Sequence, residues 1–163
     1  MRRVASYTLV SLLLVLLSTT LLRFLTIRDL APDILLVWIV YIAIREGQIA
    51  GTSAGFLIGL AADLLSGDDS MVGLSALSKT VGGFLAGYFY NENKTLQTLG
   101  GYQFLIAVGV VSLVHNVIYF LIFLQGTESS PWRIILSYGV LGALYNVATG
   151  LLPMFVVARK HLT

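Results

Sequence analysis

Side chains that could carry a proton or hold an ion are rare in the apolar stretches of this chain. Asp63 and Lys79 fall inside two of these stretches, and His115 and Asn116 lie near the middle of another. An isolated carboxylate at membrane depth could couple to a proton or an ion, and a histidine could relay a proton. Because a charge is costly there, such residues usually pair with each other or line a polar cavity.

Asp63 and Lys79 have opposite charges and lie on consecutive predicted helices. Counted from the outer helix ends, they differ in depth by roughly 6 Å at 1.5 Å per residue. Since a lysine stem can extend across that gap, we predict a structural ion pair between them. Two alternatives stay open: Asp63 could be a proton-coupled or ion-coupled carboxylate, or the two residues could face separate wet crevices.

Two asparagines are predicted to join the last two helices. Asn116 and Asn146 both fall close to the midplane of their helices when counted from opposite ends, where an interhelical hydrogen bond stabilises packing by roughly 0.6–2 kcal/mol. His115 is predicted to be a neutral residue of the helix bundle, with a proton relay as the alternative. A single histidine without a paired carboxylate or an HExxH motif favours the structural role.

The sequence contains no recognisable catalytic constellation. It has no Walker loop, no GxSxG motif, no metal-ligand spacing and no cysteine, so thiolate metal sites and cysteine nucleophiles are excluded. We therefore expect no enzymatic activity, no cofactor and no metal.

The composition excludes a soluble globular protein. Of the 163 residues 57% are hydrophobic and only 11% are charged, and the mean hydropathy is +0.88, whereas soluble domains carry roughly 25% charged residues. The net charge is only +2, and the basic residues do not cluster as a nucleic-acid footprint would require. The expected surroundings are therefore membrane lipid and no nucleic acid.

Six apolar windows approach the roughly 20 residues that cross a bilayer. They predict an all-α membrane protein, a single domain over residues 1–163 built as a bundle of six transmembrane helices, with spans at about 4–25, 31–45, 48–66, 72–90, 104–124 and 134–158. Pro32 and Asp33 form the helix-start motif of the second span, since proline loses no needed N–H there and aspartate favours the positive end of the helix dipole.

The basic residues predict that both termini are cytoplasmic. In that orientation the inner segments hold Arg2, Arg3, Arg45, Lys94, Arg159 and Lys160, and the outer segments hold Arg23, Arg28 and Arg133. A cleaved signal peptide is the alternative for the first span, but its apolar run is long and no small-x-small cleavage site follows.

Small residues recur at every fourth position in two consecutive predicted helices. Gly51, Gly55 and Gly59 lead to Asp63, and Gly83 and Gly87 follow Lys79 in the next helix. Such stripes let two backbones approach closely. We predict that the stripes pack within this chain, with an interface to a partner protein as the alternative.

The order of these features resembles the MreD family, the small multi-pass rod shape-determining membrane proteins of bacteria. The resemblance rests on Pro32-Asp33-Ile34-Leu35-Leu36-Val37, Arg45-Glu46-Gly47, the stripe of Gly51, Gly55 and Gly59, Asp63-Leu64-Leu65-Ser66-Gly67, Gly73-Leu74, and Gly83-Phe84-Leu85-Ala86-Gly87. These motifs lie between residues 32 and 87, and the last two spans match only in kind.

The resemblance implies a scaffold or adaptor of the cell-wall elongation machinery in the bacterial inner membrane. It implies an MreC-like partner bound through its transmembrane helix, and indirect association with the elongation glycosyltransferase and transpeptidase and with MreB. It also implies an architecture similar to the S-components of energy-coupling-factor transporters. The alternative function is therefore a substrate-binding subunit of a vitamin transporter, which the short outer loops disfavour.

Overall fold

The computed structural model describes residues 2–20, 32–66, 71–125 and 131–161, and their regular structure is entirely helical. The helices are α1 (Arg2–Thr20), α2 (Ile34–Glu46), α3 (Gln48–Ser66), α4 (Leu74–Ala86), α5 (Thr95–Leu99), α6 (Tyr102–Phe123), α7 (Pro131–Ile134) and α8 (Val140–His161). A 3₁₀ turn, Gly87–Phe89, extends α4, and a π-helical segment, Ile135–Gly139, joins α7 to α8.

The short helix α2 lies at the centre of the bundle. Leu36, Ile39, Val40, Ala43 and Ile44 are completely buried, and α2 packs against α1, α3, α4, α5, α6 and α8. A helix that is apolar on every side requires such surroundings. Because α2 contacts protein rather than lipid, its 13 residues need not match the thickness of a bilayer.

The helices α3 and α4 are antiparallel and pack backbone against backbone along the glycine stripes. A Cβ atom at Gly51 would lie 2.8 Å from the carbonyl oxygen of Gly83, and one at Gly59 would lie 2.6 Å from Cα of Ala76. A Cβ atom at Gly55 would overlap the backbone of Lys79. A Cβ atom at Gly87 would overlap Cα of Gln48. The stripes therefore form a contact within this chain.

A sharp turn joins α2 to α3 and sets up this contact. Gly47, at φ +98°, is the only residue between the two helices, and its N–H donates to the carbonyl oxygen of Ala43 at 3.0 Å. Positive φ is readily adopted by glycine and rarely by other residues. The turn brings Gly51 onto Ala43 of α2, so one face of α3 packs on α2 as well as on α4.

Three of the described helical stretches are long and apolar enough to cross a membrane: Gln48–Ser66, Tyr102–Phe123 and Trp132–Arg159, while Val4–Thr20 is a shorter apolar helix. The expected second and fourth spans correspond to 13-residue helices, so six spans stay a prediction. Parts of the expected elements lie outside the described residues, namely the end of the first span, the start of the second, and the loops at 67–70 and 126–130.

Candidate functional site

Asp33 organises a polar cluster at the start of α2. Its Oδ1 accepts a hydrogen bond from the N–H of Leu36 at 3.0 Å, which caps the helix, and its own N–H donates to Oδ1 of Asn146 at 2.7 Å. Pro32 precedes it and is buried. The expected helix start at Pro32 and Asp33 is therefore present, but α2 begins level with Asn146, near the middle of the apolar stretch Trp132–Arg159.

The second carboxylate oxygen of Asp33 pairs with Lys79. The Nζ atom of Lys79 lies 2.6 Å from Asp33 Oδ2, and the lysine side chain is only 6% exposed. Lys79 Nζ also donates to the hydroxyl of Ser75, one turn earlier on α4, at 3.0 Å. This arrangement satisfies a buried ammonium group with a charge of opposite sign and a hydroxyl, as burial requires.

The predicted ion pair between Asp63 and Lys79 is wrong. Asp63 Oδ2 accepts hydrogen bonds from the N–H of Gly73 at 2.9 Å and the N–H of Ala76 at 3.1 Å, so this carboxylate at the end of α3 caps the beginning of α4. Free N–H groups at a helix start and the helix dipole both favour a carboxylate there. Lys79 lies on the second turn of α4 and extends to Asp33 instead.

His115 of α6 lies against this ion pair and is buried. Its Nδ1 lies 3.2 Å from Oδ1 of Asn116, and its Nε2 lies 3.8 Å from Asp33 Oδ2, beyond hydrogen-bonding distance. Among the described residues, Nε2 has no hydrogen-bond partner. The ring of Tyr119 stacks on the imidazole at a centroid distance of 6.1 Å.

Asn116 and Asn146 each link α6 to the last helical stretch. They do so through other residues and not through a hydrogen bond between the two asparagines. The side-chain amide of Asn116 donates to the carbonyl oxygen of Gly139 at 2.8 Å, and that of Asn146 donates to the hydroxyl of Ser112 at 3.1 Å. Gly139 ends the π-helical segment, whose irregular backbone was not expected from the sequence. Asn146 thereby links α6, α8 and the start of α2.

A cavity of about 460 Å³ lies beside the polar cluster. Residues from six helices and the π-helical segment line it, among them Ser18 and Thr19 of α1, Asp33 of α2, Ser66 of α3, Ser75 and Lys79 of α4, His115, Asn116, Tyr119 and Phe120 of α6, Tyr138 of the π-helical segment, and Gly142 and Asn146 of α8. Sequence spacing within single helices could not show that these residues converge.

A second, apolar groove of about 220 Å³ lies between α1 and α8, with α2 at its base. Leu14 of α1, Trp38 and Tyr41 of α2, and Leu152 and Pro153 of α8 line it. The rings of Trp38 and Tyr41 stack at a centroid distance of 5.2 Å, and the indole N–H of Trp38 donates to Ser11 at 2.9 Å. Since α1 packs mainly on α2 and α3, the groove stays open on the side of α8.

The described residues include no group of three or more His, Cys, Asp or Glu side chains placed to hold a metal ion. The polar cluster joins α2, α4, α6 and α8 through one ion pair and several hydrogen bonds, which is what a fixed helix bundle requires. Residues 1–155 match the protein family described as rod shape-determining protein MreD. No curated protein and no solved structure matches the chain.

Proposed function

The chain belongs to the MreD family of rod shape-determining proteins, and we propose that it is a non-enzymatic scaffold that docks the transmembrane helix of an MreC-like partner. The family match over residues 1–155 carries this proposal. The scaffold works in the bacterial inner membrane as part of the cell-wall elongation machinery. Through its partner it connects indirectly to the elongation glycosyltransferase and transpeptidase and to MreB.

The surface that we assign to the partner helix is the apolar groove between α1 and α8. The glycine stripes of α3 and α4 are filled by each other's backbone, so they leave no room for a foreign helix. The two helices that flank the groove carry exposed apolar side chains, among them Leu13 of α1 and Leu152 and Phe155 of α8. Trp38 and Pro153 at its base and edge give it a shape that an apolar helix can fill by close van der Waals packing.

A bulky side chain in the groove should block docking. We expect Thr149→Trp to reduce co-purification of the MreC-like partner at least about fivefold, since the indole occupies the space that the partner helix needs. Thr149 is half-buried, and its hydroxyl donates to the carbonyl oxygen of Tyr145 one turn earlier. Pull-down of the tagged chain in mild detergent measures the effect.

The matched control is Thr52→Trp on α3. Thr52 is also half-buried, and its hydroxyl donates to the carbonyl oxygen of Gln48 one turn earlier, but it lies outside the groove. Equal partner recovery from both variants would exclude this groove as the docking surface.

The scaffold has six membrane-crossing segments with both termini in the cytoplasm. Support comes from the antiparallel course of α3 and α4 and of α6 and α8, where Ser112 meets Asn146 and Asn116 meets Gly139. The short helix α2 crosses inside the bundle, where its neighbours bury it, and α4 packs on α2, α3 and α6 while exposing Leu77 and Phe84. In the proposed topology the second span starts on the outer side, so the polar cluster at its start lies in the outer half of the membrane.

Reporter fusions test this topology. A fusion after Thr163 should be active for a reporter that works only in the cytoplasm, and a fusion within residues 67–70 for a reporter that works only after export. The opposite result at Thr163 would overturn the orientation or the number of spans.

A further inference from the structure

The cavity beside Asp33 shares no lining residue with the groove that we assign to the partner helix. Its volume of about 460 Å³ lies within the range of roughly 300–1,000 Å³ that is typical of small-molecule sites. It is lined mainly by polar and aromatic side chains, and it lies where α1, α2, α3, α4, α6 and α8 converge.

The charges in the cavity wall cancel. Lys79 is paired with Asp33 at 2.6 Å, and the lysine side chain is 6% exposed while the aspartate side chain is 23% exposed. A charged ligand would find no net opposite charge in the cavity wall. Moving an uncompensated charge out of water is unfavourable. The chemistry of the wall therefore favours a neutral ligand.

The wall also offers acceptors that remain unfilled. The amide nitrogen of Asn116 donates to Gly139, so its Oδ1 accepts from Nδ1 of His115 at 3.2 Å. In the neutral ring this leaves Nε2 as a buried acceptor without a hydrogen-bond partner among the described residues. A carboxylate oxygen has several lone-pair directions, so the exposed part of Asp33 can accept further hydrogen bonds as well.

Aromatic rings form another part of the wall. Tyr119, Phe120 and Tyr138 line the cavity, and Tyr138 is 43% exposed. Within the described residues, the hydroxyl of Tyr138 makes no hydrogen bond, so it is available to a ligand. Rings with a polar tip suit a ligand with apolar faces and polar edges.

We infer that this cavity binds a neutral polyhydroxyl group of about the size of a sugar ring. Its hydroxyl groups donate to Asp33 and toward His115, its edges meet the hydroxyl of Tyr138, and its faces lie against the aromatic rings. The group can be a free sugar or the headgroup of a glycolipid, since both present the same chemistry.

Binding is measured on the full chain, purified in a detergent without a sugar headgroup. Glucose and myo-inositol are the free probes, and vesicles containing monoglucosyl diacylglycerol, compared with phosphatidylcholine vesicles, present the headgroup. We expect a saturable rise in the Tm with the free probes or with the glycolipid vesicles, which identifies the source. Acetate and ethanolamine, as charged probes of small size, should cause no saturable shift.

The matched variants are Tyr138→Phe and Tyr102→Phe. Loss of the Tyr138 hydroxyl should weaken binding about fivefold, the effect of one hydrogen bond, and the ring that remains keeps its packing in the π-helical segment. Tyr102 is exposed at the first residue of α6 and does not line the cavity. Its substitution should therefore leave the Kd unchanged. The inference is overturned if no polyhydroxyl probe binds, if a charged probe binds as tightly, or if both variants keep the original Kd.

Discussion

Replacing Asp33 by Asn should destabilise the protein by about 3–5 kcal/mol, the range seen when one partner of a buried ion pair is removed. Asparagine can still cap α2, because its side-chain oxygen can accept from Leu36, so the change isolates the loss of charge. The ammonium group of Lys79, only 6% exposed, is then left without its counter-charge. Thermal unfolding of the purified protein in detergent measures the loss.

The double variant should recover much of this stability. Asp33→Asn together with Lys79→Met removes both charges and keeps the apolar stem of the lysine, so its unfolding free energy should be higher than the sum of the single effects implies. Strict additivity would show that Asp33 and Lys79 do not interact.

Asp63 supplies the control for this cycle. Asp63→Asn weakens the cap on Gly73 and Ala76 but leaves the ion pair of Lys79 unchanged, so its effect should add to that of Lys79→Met. A larger coupling in the Asp63 cycle than in the Asp33 cycle would contradict the arrangement of the polar cluster.

Gly55→Leu should abolish the folded bundle, and Gly55→Ala should already destabilise it by about 1–3 kcal/mol. A Cβ atom at Gly55 would overlap the backbone of Lys79 and lie within 3.0 Å of Cα of Thr80. Backbone atoms cannot rotate away as a flexible side chain can, so α3 and α4 must separate along their whole contact. Size-exclusion profiles and Tm values of the purified variants measure this.

The control for Gly55 is Leu57→Phe, two residues further along α3. Leu57 is 63% exposed, so a larger apolar side chain there faces lipid and should be tolerated. If Gly55→Leu and Leu57→Phe give equal amounts of folded protein, then α3 does not pack against α4 through this stripe.

The sequence was sufficient to predict the glycine contact because its signal is local. A spacing of four residues places Gly51, Gly55 and Gly59 on one face of a helix, independently of the tertiary structure. The choice between a partner and a neighbouring helix of the same chain was not local. It depends on the turn at Gly47 and the antiparallel course of α4, which only the assembled structure reveals.

The partner of Lys79 was missed for a physical reason. Depth counted from the outer ends of α3 and α4 pairs Lys79 with Asp63, and the helix-start motif predicts that Asp33 lies at the membrane surface. In the structure α2 has 13 residues and begins beside Asn146, near the middle of the apolar stretch Trp132–Arg159. The available signal was the length of the second apolar window, residues 31–45, which is short for a span that starts at the surface.

The cavity could be predicted only in part. His115, Asn116 and Asn146 were recognised as polar residues at membrane depth, but their convergence on Asp33 depends on how four helices pack. The π-helical segment at Ile135–Gly139 also had no sequence signal that we recognised, although it carries Tyr138 and the carbonyl group that binds Asn116.

We propose that this chain holds an MreC-like partner by the partner's transmembrane helix. The most direct measurement compares co-purification of that partner with its native helix against the same partner carrying an unrelated membrane anchor of equal length. We expect the native form to be recovered with the tagged chain and the anchor-swapped form to be lost, because docking depends on packing within the bilayer. Equal recovery of the two forms would contradict docking through the membrane helix.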